Sequence, residues 1–289
     1  MTAVWKSVDL APGLYFVATP LGNARDVTLR ALDVLASADV LAAEDTRRLR
    51  QLMDLHGVPL NGRRIVAYHD HNGPAARPKL LEALLAGESV AYASDAGSPL
   101  VADPGFALGR EAIAAGREVF SIPGPAALVA GLTVSGLPSD RFTFAGFPPH
   151  GRSAKVRFFQ EFSATHGTLL FYESPNRIAD TVGCAIEVFG PERPAAIARE
   201  LTKKFEEVRR GTLSDVQASC ESDPPRGEIV LLIGGGRAEV SQDDIDTALR
   251  AAMAHARLKD AAREVAEQFG VSRRDLYQRG LEFQKTDDL

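Results

Sequence analysis

Four short segments set acids and bases side by side, each directly after an apolar run that reads as a strand. They are Glu44-Asp45-Thr46-Arg47-Arg48, Tyr68-His69-Asp70-His71-Asn72, Glu173-Ser174-Pro175-Asn176-Arg177 and Arg199-Glu200-Leu201-Thr202-Lys203-Lys204. In a parallel α/β sheet the carboxyl ends of the strands share one side, so segments far apart in sequence can line one cleft there. Such a mixture offers an acceptor for a proton beside cations that can hold an anionic group. Bland readings compete with this. The first segment also reads as an exposed helix start with acids in its first turn. The fourth reads as a solvated charge run, and all of them together as a structural salt-bridge network. His69-Asp70-His71 has two of the residue types that bind metals, but no third and fourth ligand stands at a known spacing, so no metal site is expected.

Two further loops offer backbone rather than charge. Leu14–Thr19 runs directly into Pro20-Leu21-Gly22-Asn23, and Gly22 lets the backbone approach a ligand closely. Ser94-Asp95-Ala96-Gly97-Ser98-Pro99 follows another apolar run, with Asp103-Pro104-Gly105 shortly after. Small residues and prolines make a fixed, irregular loop with exposed amides, and its carboxylates can receive ribose hydroxyls or sit near a cation. The alternative is plain turn chemistry, with Asp26 and Asp103 capping the helices that follow. The chain has neither a GxGxxG nor a GxxxxGK[ST] sequence, so dinucleotide and P-loop readings lose their main support.

The elements that must position these loops alternate. Strands are expected at Leu14–Thr19, Val40–Ala43, Ile65–Tyr68, Val90–Ser94 and Val119–Ile122, with helices at Asp26–Ala38, Lys79–Ala86 and Phe106–Ala115. That alternation implies parallel βαβ units, and strands apolar on both faces imply a sheet covered on both sides. Pro123-Gly124-Pro125 breaks the chain and marks a boundary. A second α/β set follows, with strands at Arg141–Phe147, Thr168–Tyr172, Ala195–Arg199 and Glu228–Ile233. Its helices lie at Ala154–Phe162, Pro175–Phe189 and Leu213–Cys220, with a polar strand or loop at Phe205–Thr212. Past Gly234-Gly235-Gly236 come helices at Ser241–Ala256, Leu258–Phe269 and Arg273–Phe283. The turn Gly270-Val271-Ser272 makes the last two resemble a helix-turn-helix. The expected domains are 1–123, 124–236 and 237–289.

Composition bounds the partners. With 33 basic and 38 acidic residues the net charge is -5, so nucleic acid is not gripped by bulk charge and any contact must come from local patches. Such patches exist. Arg141–Arg157 carries Arg141, Arg152, Lys155 and Arg157 without an acid, and Arg193–Arg210 holds six basic and three acidic residues, a net of +3. Cys184 and Cys220 lack any metal or disulfide spacing, which fits a reducing cytoplasm. The N-terminus has no signal-peptide core, and the most apolar stretch, Ile122–Val134, is broken by Pro123, Gly124, Pro125 and Gly131, so no membrane segment is expected.

Taken in order, LYFVATPLGNARDVTLRAL, LAAEDTRRLRQL, YHDHN, SDAGSPLVADPG, IPGPAA, FYESPNRI, ARELTKKFEE and RGEIVLLIGG resemble the ribosomal RNA small subunit methyltransferase I family of the tetrapyrrole-methylase superfamily. The resemblance spans Gly13 to about Gly234 and is looser in the C-terminal helices. It implies an α/β fold: two α/β domains of the tetrapyrrole-methylase type with a cofactor cleft between them, plus a small C-terminal helical module. It also implies S-adenosyl-L-methionine as cofactor, the 2′-hydroxyl of a cytidine ribose in small-subunit ribosomal RNA as acceptor, and a homodimer. By motif position the cofactor loops are Pro20 with Gly22, Asp95, Ala96, Gly97, Ser98 and Pro99, Ala126 with Ala127, and Tyr172. The opening loop is poorer in glycine than in the tetrapyrrole branch, which favours RNA. Tyr68-His69-Asp70-His71-Asn72 departs from the serine-tyrosine-histidine-glutamate opening of that segment in the family.

That chemistry requires in-line positioning, a proton acceptor near a weakly nucleophilic hydroxyl, and cations that fix the RNA register. Glu44, Asp45, Glu173 and Glu200 are the candidate acceptors, and Arg47, Arg177, Arg199 and Lys203 the candidate phosphate contacts. Arg47→Ala and Glu173→Gln are each expected to lose methyl transfer without an early melt. Arg257, Lys259, Arg263, Arg273, Arg274 and Arg279 would let the C-terminal module dock RNA. The competing readings are a methylase of a tetrapyrrole or another small molecule, and a non-catalytic ribosome-assembly protein that binds RNA.

Overall fold

The computed structural model describes residues 4–69, 72–102, 104–235, 242–269 and 271–287. The chain divides into two compact units, Met1–Gly235 and Gly236–Leu289.

The larger unit holds two five-stranded sheets. The first is built from β1 (Gly13–Val17), β2 (Val40–Ala43), β3 (Ile65–Ala67), β4 (Ser89–Ala93) and β5 (Val119–Ile122), in the order β3-β2-β4-β1-β5, with every pairing parallel. Helices α1 (Leu29–Ser37), α2 (Thr46–Leu55), α3 (Gly73–Leu85) and α4 (Phe106–Ala114) connect the strands. Every residue of β1 and β4 is buried, and alternate side chains enter separate cores. Tyr15, Val17, Ala91 and Ala93 pack with Leu32, Leu35 and Met53, while Leu14, Phe16, Val90 and Tyr92 pack with Leu80, Leu84 and Leu108. A period of two with both faces covered produces that division.

The second sheet is mixed, which corrects the expectation of parallel units throughout. Its strands are β6 (Phe142–Phe144), β7 (Thr168–Glu173), β8 (Pro194–Arg199), β9 (Glu207–Thr212) and β10 (Ile229–Ile233), in the order β6-β7-β10-β8-β9. Only β6 and β7 pair in parallel; β10 lies between β7 and β8 and runs opposite to both, and β8 pairs antiparallel with β9. The reason is connection length. The short Glu200–Glu206 link between β8 and β9 permits only an antiparallel return, because a parallel crossover needs about a dozen residues or more. Since β7 and β8 both oppose β10, their carboxyl ends still lie on the same side, where Glu173 and Arg199 flank Ile229. Helices α6 (Arg152–Gln160), α7 (Ile178–Phe189) and α8 (Leu213–Ser222) accompany this sheet, and α7 and α8 supply Ile178, Val182, Leu213 and Val216 to the core with Leu169, Phe171 and Ile197. On the other face α5 (Ala127–Ser135) brings Leu128 and Leu132 onto Leu170, Ala198 and Val230.

Two local differences from the sequence reading have physical causes. Asp26 does not cap the first helix; it ends a single 3-10 turn capped by Asn23, and Thr28 caps α1 by accepting a bond from the Ala31 amide at 3.1 Å. Helix α5 escapes pattern recognition because apolar residues surround it on all sides, leaving no amphipathic period. Asp103, read as a cap, lies outside the described residues, as do Asp70 and His71; the backbone before α4 turns at Gly105 with φ +122°.

The smaller unit contains α9 (Gln242–Met253), α10 (Leu258–Phe269) and α11 (Arg273–Asp287) around Leu249, Ala261, Val265, Leu276 and Phe283. Ser272 accepts a long bond from the Asp275 amide, 3.4 Å, at the start of α11. Arg279, one of the expected RNA cations, is clamped by Asp246 at 2.6 Å and meets Glu282. Among the described residues no helix is long and apolar enough to cross a membrane.

Candidate active site

The loop after β4 is built by hydrogen bonds that leave little freedom. The Thr19 and Gly97 amides donate to each other's carbonyls at 3.0 Å, tying the end of β1 to the loop. The Thr19 hydroxyl donates to the Ser94 carbonyl at 3.0 Å, the Ser94 hydroxyl to the Gly97 carbonyl, and the Ser98 hydroxyl to the Pro125 carbonyl at 3.2 Å. Gly97 has φ +83°, and Leu100 and Ala102 adopt left-handed backbone at +69° and +60° without being glycine. Left-handed backbone costs a residue with a Cβ roughly 1–2 kcal/mol, so the surrounding structure must hold these residues in place. Facing this loop, α5 starts at Ala126 without a side-chain cap of its own; the Tyr172 hydroxyl accepts from the Leu128 amide at 3.2 Å.

Between these elements lies a cavity of about 500 Å³, within the size range of small-molecule sites. Its apolar wall comprises Leu21, Val101, Phe147, Leu201, Ile229 and Val230, and its charged groups include Glu44, Arg48, Asp95 and Glu228. Asp95, Ala96, Gly97, Ser98, Ala126, Ala127 and Tyr172 line it, whereas Pro20, Gly22 and Pro99 do not; Leu21, between the first two, does. A second, more open cavity of about 450 Å³ is bounded by Glu44, Asp45, Thr46, Arg47, Ala67, His69 and Asp95. Glu44 and Asp95 belong to both walls.

Asp45 organises the second cavity. Its carboxylate caps α2, accepting from the Arg47 amide at 2.8 Å and from the Arg47 guanidinium at 3.1 and 2.8 Å, and these bonds hold its pKa well below the usual carboxylate range. Its own amide donates to Asp95 at 2.8 Å, and Arg48 stands 3.7 Å from the same carboxylate. Arg47 is 89% exposed, so although paired it remains open to a partner.

The other predicted catalytic residues are differently placed. The Glu173 side chain is fully buried: it accepts from the Ser174 amide at 2.8 Å and the Thr181 hydroxyl at 2.6 Å, with the Arg177 guanidinium 3.2 Å away. Glu173 borders the first cavity, and its carboxylate ties the start of α7 together. Arg177 also donates to the Pro148 and Pro149 carbonyls, Arg199 is paired with Glu207, and Lys203 is held by Glu200 and Glu228, both at 2.9 Å. Arg177, Arg199 and Lys203, expected as phosphate contacts, are thus engaged within the protein, and Arg199, Glu200 and Lys203 line neither cavity. Lys203 keeps Glu200 ionised to lower pH than an ordinary glutamate. No group of three His, Cys, Asp or Glu side chains suited to a metal occurs among the described residues.

Sequence reasoning missed Phe147, Val101, Ala102 and the Gly227–Val230 strand entrance. Phe147 carried a signal in its setting, Gly146-Phe147-Pro148-Pro149, a large aromatic held in an irregular turn. It is 55% exposed and packs edge-on to Tyr172 with ring centroids 5.6 Å apart. Gly227 had its signal in the Arg-Gly-Glu sequence before an apolar strand, and its φ is +82°.

The fit to S-adenosylmethionine can be judged from the walls. At Gly97 an added Cβ would come 3.1 Å from Leu21, so the absence of a side chain keeps the cavity open there. The apolar wall suits a purine, and the acids beside Arg48 suit a ligand bearing a sulfonium, an ammonium and a carboxylate. Both features are compatible with that molecule.

Residues 13–217 match the family model described as Tetrapyrrole (Corrin/Porphyrin) Methylases, and residues 239–284 that of the RsmI C-terminal HTH domain. The chain is 49% identical over 279 residues to a ribosomal RNA small subunit methyltransferase I from Mesorhizobium japonicum, covering 96% of this chain and 94% of the relative. To the protein of the same name from Vibrio cholerae it is 42% identical, covering 94% and 95%. Among solved structures, uroporphyrin-III-C-methyltransferase from Thermus thermophilus superposes with a TM-score of 0.56 at 22% identity, over 77% of this chain and 94% of that one, a likeness of fold.

Proposed function

The chain belongs to the ribosomal RNA small subunit methyltransferase I family, and from that premise we propose that it methylates the 2′-hydroxyl of a cytidine ribose in small-subunit ribosomal RNA, using S-adenosylmethionine. The observation that carries this reading is the pair of cavities sharing Glu44 and Asp95 as a wall. The enclosed one is assigned to the cofactor and the open, charged one to the acceptor nucleotide. This division would leave carboxylates at the border where a methyl group must cross.

When bound, S-adenosylmethionine supplies a methyl group made electrophilic by its sulfonium. The residues of this chain provide the rest. The Asp95–Ser98 loop and the Ala126–Ala127 helix start hold the cofactor by backbone, and Leu21, Leu201 and Val230 exclude water from it. The ribose hydroxyl is a weak nucleophile until its proton is drawn off, and Glu44, Asp45 and Asp95 are the carboxylates placed to accept it. Asp45, held ionised by Arg47, can accept a hydrogen bond over the whole physiological range, but its lowered pKa makes it a weaker base than an ordinary carboxylate. Arg47 is the cation assigned to an RNA phosphate. Glu173, Arg199, Glu200 and Lys203 are reassigned to holding the site together.

The lobes 1–123 and 124–236 are read as the two walls of the cofactor cleft, and 237–289 as a module that docks RNA. In that module Arg257, Lys259, Arg273 and Arg274 are the cations assigned to phosphates, with Arg263 left to Asp260 and Arg279 to Asp246. A homodimer acting on ribosomal subunits in the cytoplasm completes the reading. The test is to incubate the full chain with methyl-labelled S-adenosylmethionine and, in separate reactions, naked small-subunit RNA, isolated small subunits or a porphyrinogen. Label in a ribose 2′-O-methylcytidine is expected. Label in the porphyrinogen alone would replace this function with the small-molecule one. No transfer despite bound RNA would favour a non-catalytic assembly role. Removal of 237–289 should weaken RNA binding and flatten its salt dependence while leaving cofactor affinity unchanged.

A further inference from the structure

Lys203 lies outside both cavities, yet it joins two segments that flank the larger one. Its aliphatic stem crosses Gly22 in the loop after β1 so closely that a Cβ there would overlap Cγ of Lys203 and lie 2.9 Å from Cε. Its ammonium then divides between Glu200 and Glu228, each at 2.9 Å. The anchor is itself built in. The Glu200 carboxylate accepts from the Glu228 amide at 3.0 Å, the Glu200 amide donates to the Glu228 carbonyl at 3.0 Å, and a Cβ at Gly227 would overlap that carboxylate. Glu200 and Thr202 both adopt left-handed backbone, φ +51° and +67°, a conformation costly for residues with a Cβ and retained here on either side of Leu201. The neighbours of these contact points, Leu21 on one side and Leu201, Gly227 and Glu228 on the other, line the cavity.

We propose that Lys203 is a positioning residue: a strap that passes over Gly22, fastens to Glu200 and Glu228, and thereby sets the separation of Leu21 from Leu201 across the S-adenosylmethionine cavity. The inference rests on reading that cavity as the cofactor site. It assigns a requirement to two glycines that line up with it: Gly22 leaves room for the stem and Gly227 for the carboxylate. It also separates Lys203 from RNA. Two of the three ammonium protons already meet carboxylates, so at most one is left for a phosphate, which would share the charge with both acids.

Calorimetry on the full chain with S-adenosylmethionine, and with its demethylated product S-adenosylhomocysteine, tests the strap. The variants are Lys203→Met, which keeps the stem and removes the charge, Gly22→Ala, which displaces the stem and keeps the charge, and the two combined. Each single change should weaken both ligands roughly tenfold, and the combination should be no weaker than the worse single, because both break one device. Binding of small-subunit RNA by Lys203→Met should keep its salt slope. Unchanged cofactor affinity in both singles, or effects that multiply in the double, would overturn the strap. So would a fall of about one in the RNA salt slope for Lys203→Met with cofactor binding intact, the result for a phosphate contact. If Gly22→Ala melts before it can be titrated, Lys203→Met decides alone. Absence of cofactor binding in the unaltered chain would instead remove the cofactor reading on which the strap depends.

Discussion

Glu44-Asp45-Thr46-Arg47 and Glu173-Ser174-Pro175-Asn176-Arg177 look interchangeable in sequence: each follows an apolar strand, sets carboxylates near a guanidinium and leads into a helix. In the fold they diverge. The first opens onto two cavities and leaves Arg47 in solvent; the second borders the larger cavity through Glu173, Ser174 and Pro175, but its charges close on each other, with the Glu173 side chain fully buried and Arg177 bonded to a neighbouring loop. The alternation of β7 explains the second case. Leu169 and Phe171 face the core beneath α7, so Glu173 follows them to that face, while Tyr172 turns with Leu170 toward α5 and the larger cavity. A shift of one position would exchange the roles of Glu173 and Tyr172. Local composition identifies a strand end worth attention, and parity along the strand determines which of its residues can reach a ligand.

The largest test of this contrast is Glu173→Ala. Removing one partner of a buried pair costs about 3–5 kcal/mol, which for a unit of this size lowers the melting temperature by about 6–20 °C. Thermal denaturation should show that loss, with methyl transfer following the folded fraction. A variant that melts normally but transfers nothing would return Glu173 to the chemistry and erase the contrast.

Gly97→Leu probes the open side. The left-handed backbone there costs a side chain roughly 1–2 kcal/mol, and Leu21 stands in the way, so S-adenosylmethionine affinity should fall at least about a hundredfold by calorimetry. Unaltered binding would remove the cofactor from this cavity. Arg47→Ala should be gentler. Its exposed pair contributes about 0–1 kcal/mol to stability, so melting should barely move, while transfer to small-subunit RNA should fall roughly tenfold, the effect of one charged hydrogen bond. An early melt with normal specific activity would make Arg47 a structural cap.

The smallest effect is a titration. Lys203 depresses the Glu200 pKa below the ordinary glutamate value of about 4.3. A folded value below the unfolded one means that this stabilisation is fully present above about pH 4.3 and is lost as pH falls through the lower, folded value. The unaltered chain should therefore lose slightly more melting temperature between about pH 5 and pH 3 than Lys203→Met does. Identical acid profiles would show that the pair has no net effect on stability.

Much of the scaffold was legible because its signals are local. The strands at Val40–Ala43 and Val119–Ile122 and the helix at Leu258–Phe269 follow from apolar runs and from period. The loop Asp95–Ser98, expected from its small residues to meet a ligand, lines the larger cavity. What escaped depends on pairing between distant segments. Nothing near Glu228–Ile233 states that this strand inserts between β7 and β8 in the opposite direction, and that insertion is what brings Gly227 and Glu228 to the cavity. Likewise the basic strip at Arg193–Arg210 reads as a phosphate surface, but Arg199, Lys203 and Arg209 are matched by Glu207, Glu200, Glu228 and Asp223 once β8, β9 and β10 are assembled.

By itself the sequence determined the family, the alternating α/β elements, the loops rich in small residues and the strand ends that carry charge, because periodicity, turn chemistry and motif order are properties of neighbours along the chain. Only the tertiary structure decided which charges remain available to a substrate. Availability depends on the face of the sheet a residue points to and on the partner a distant strand delivers, and both are set by packing: Asp45 and Arg47 reach an open cavity, Glu173 is closed beneath a helix, and Lys203 is drawn across Gly22 to a pair of carboxylates.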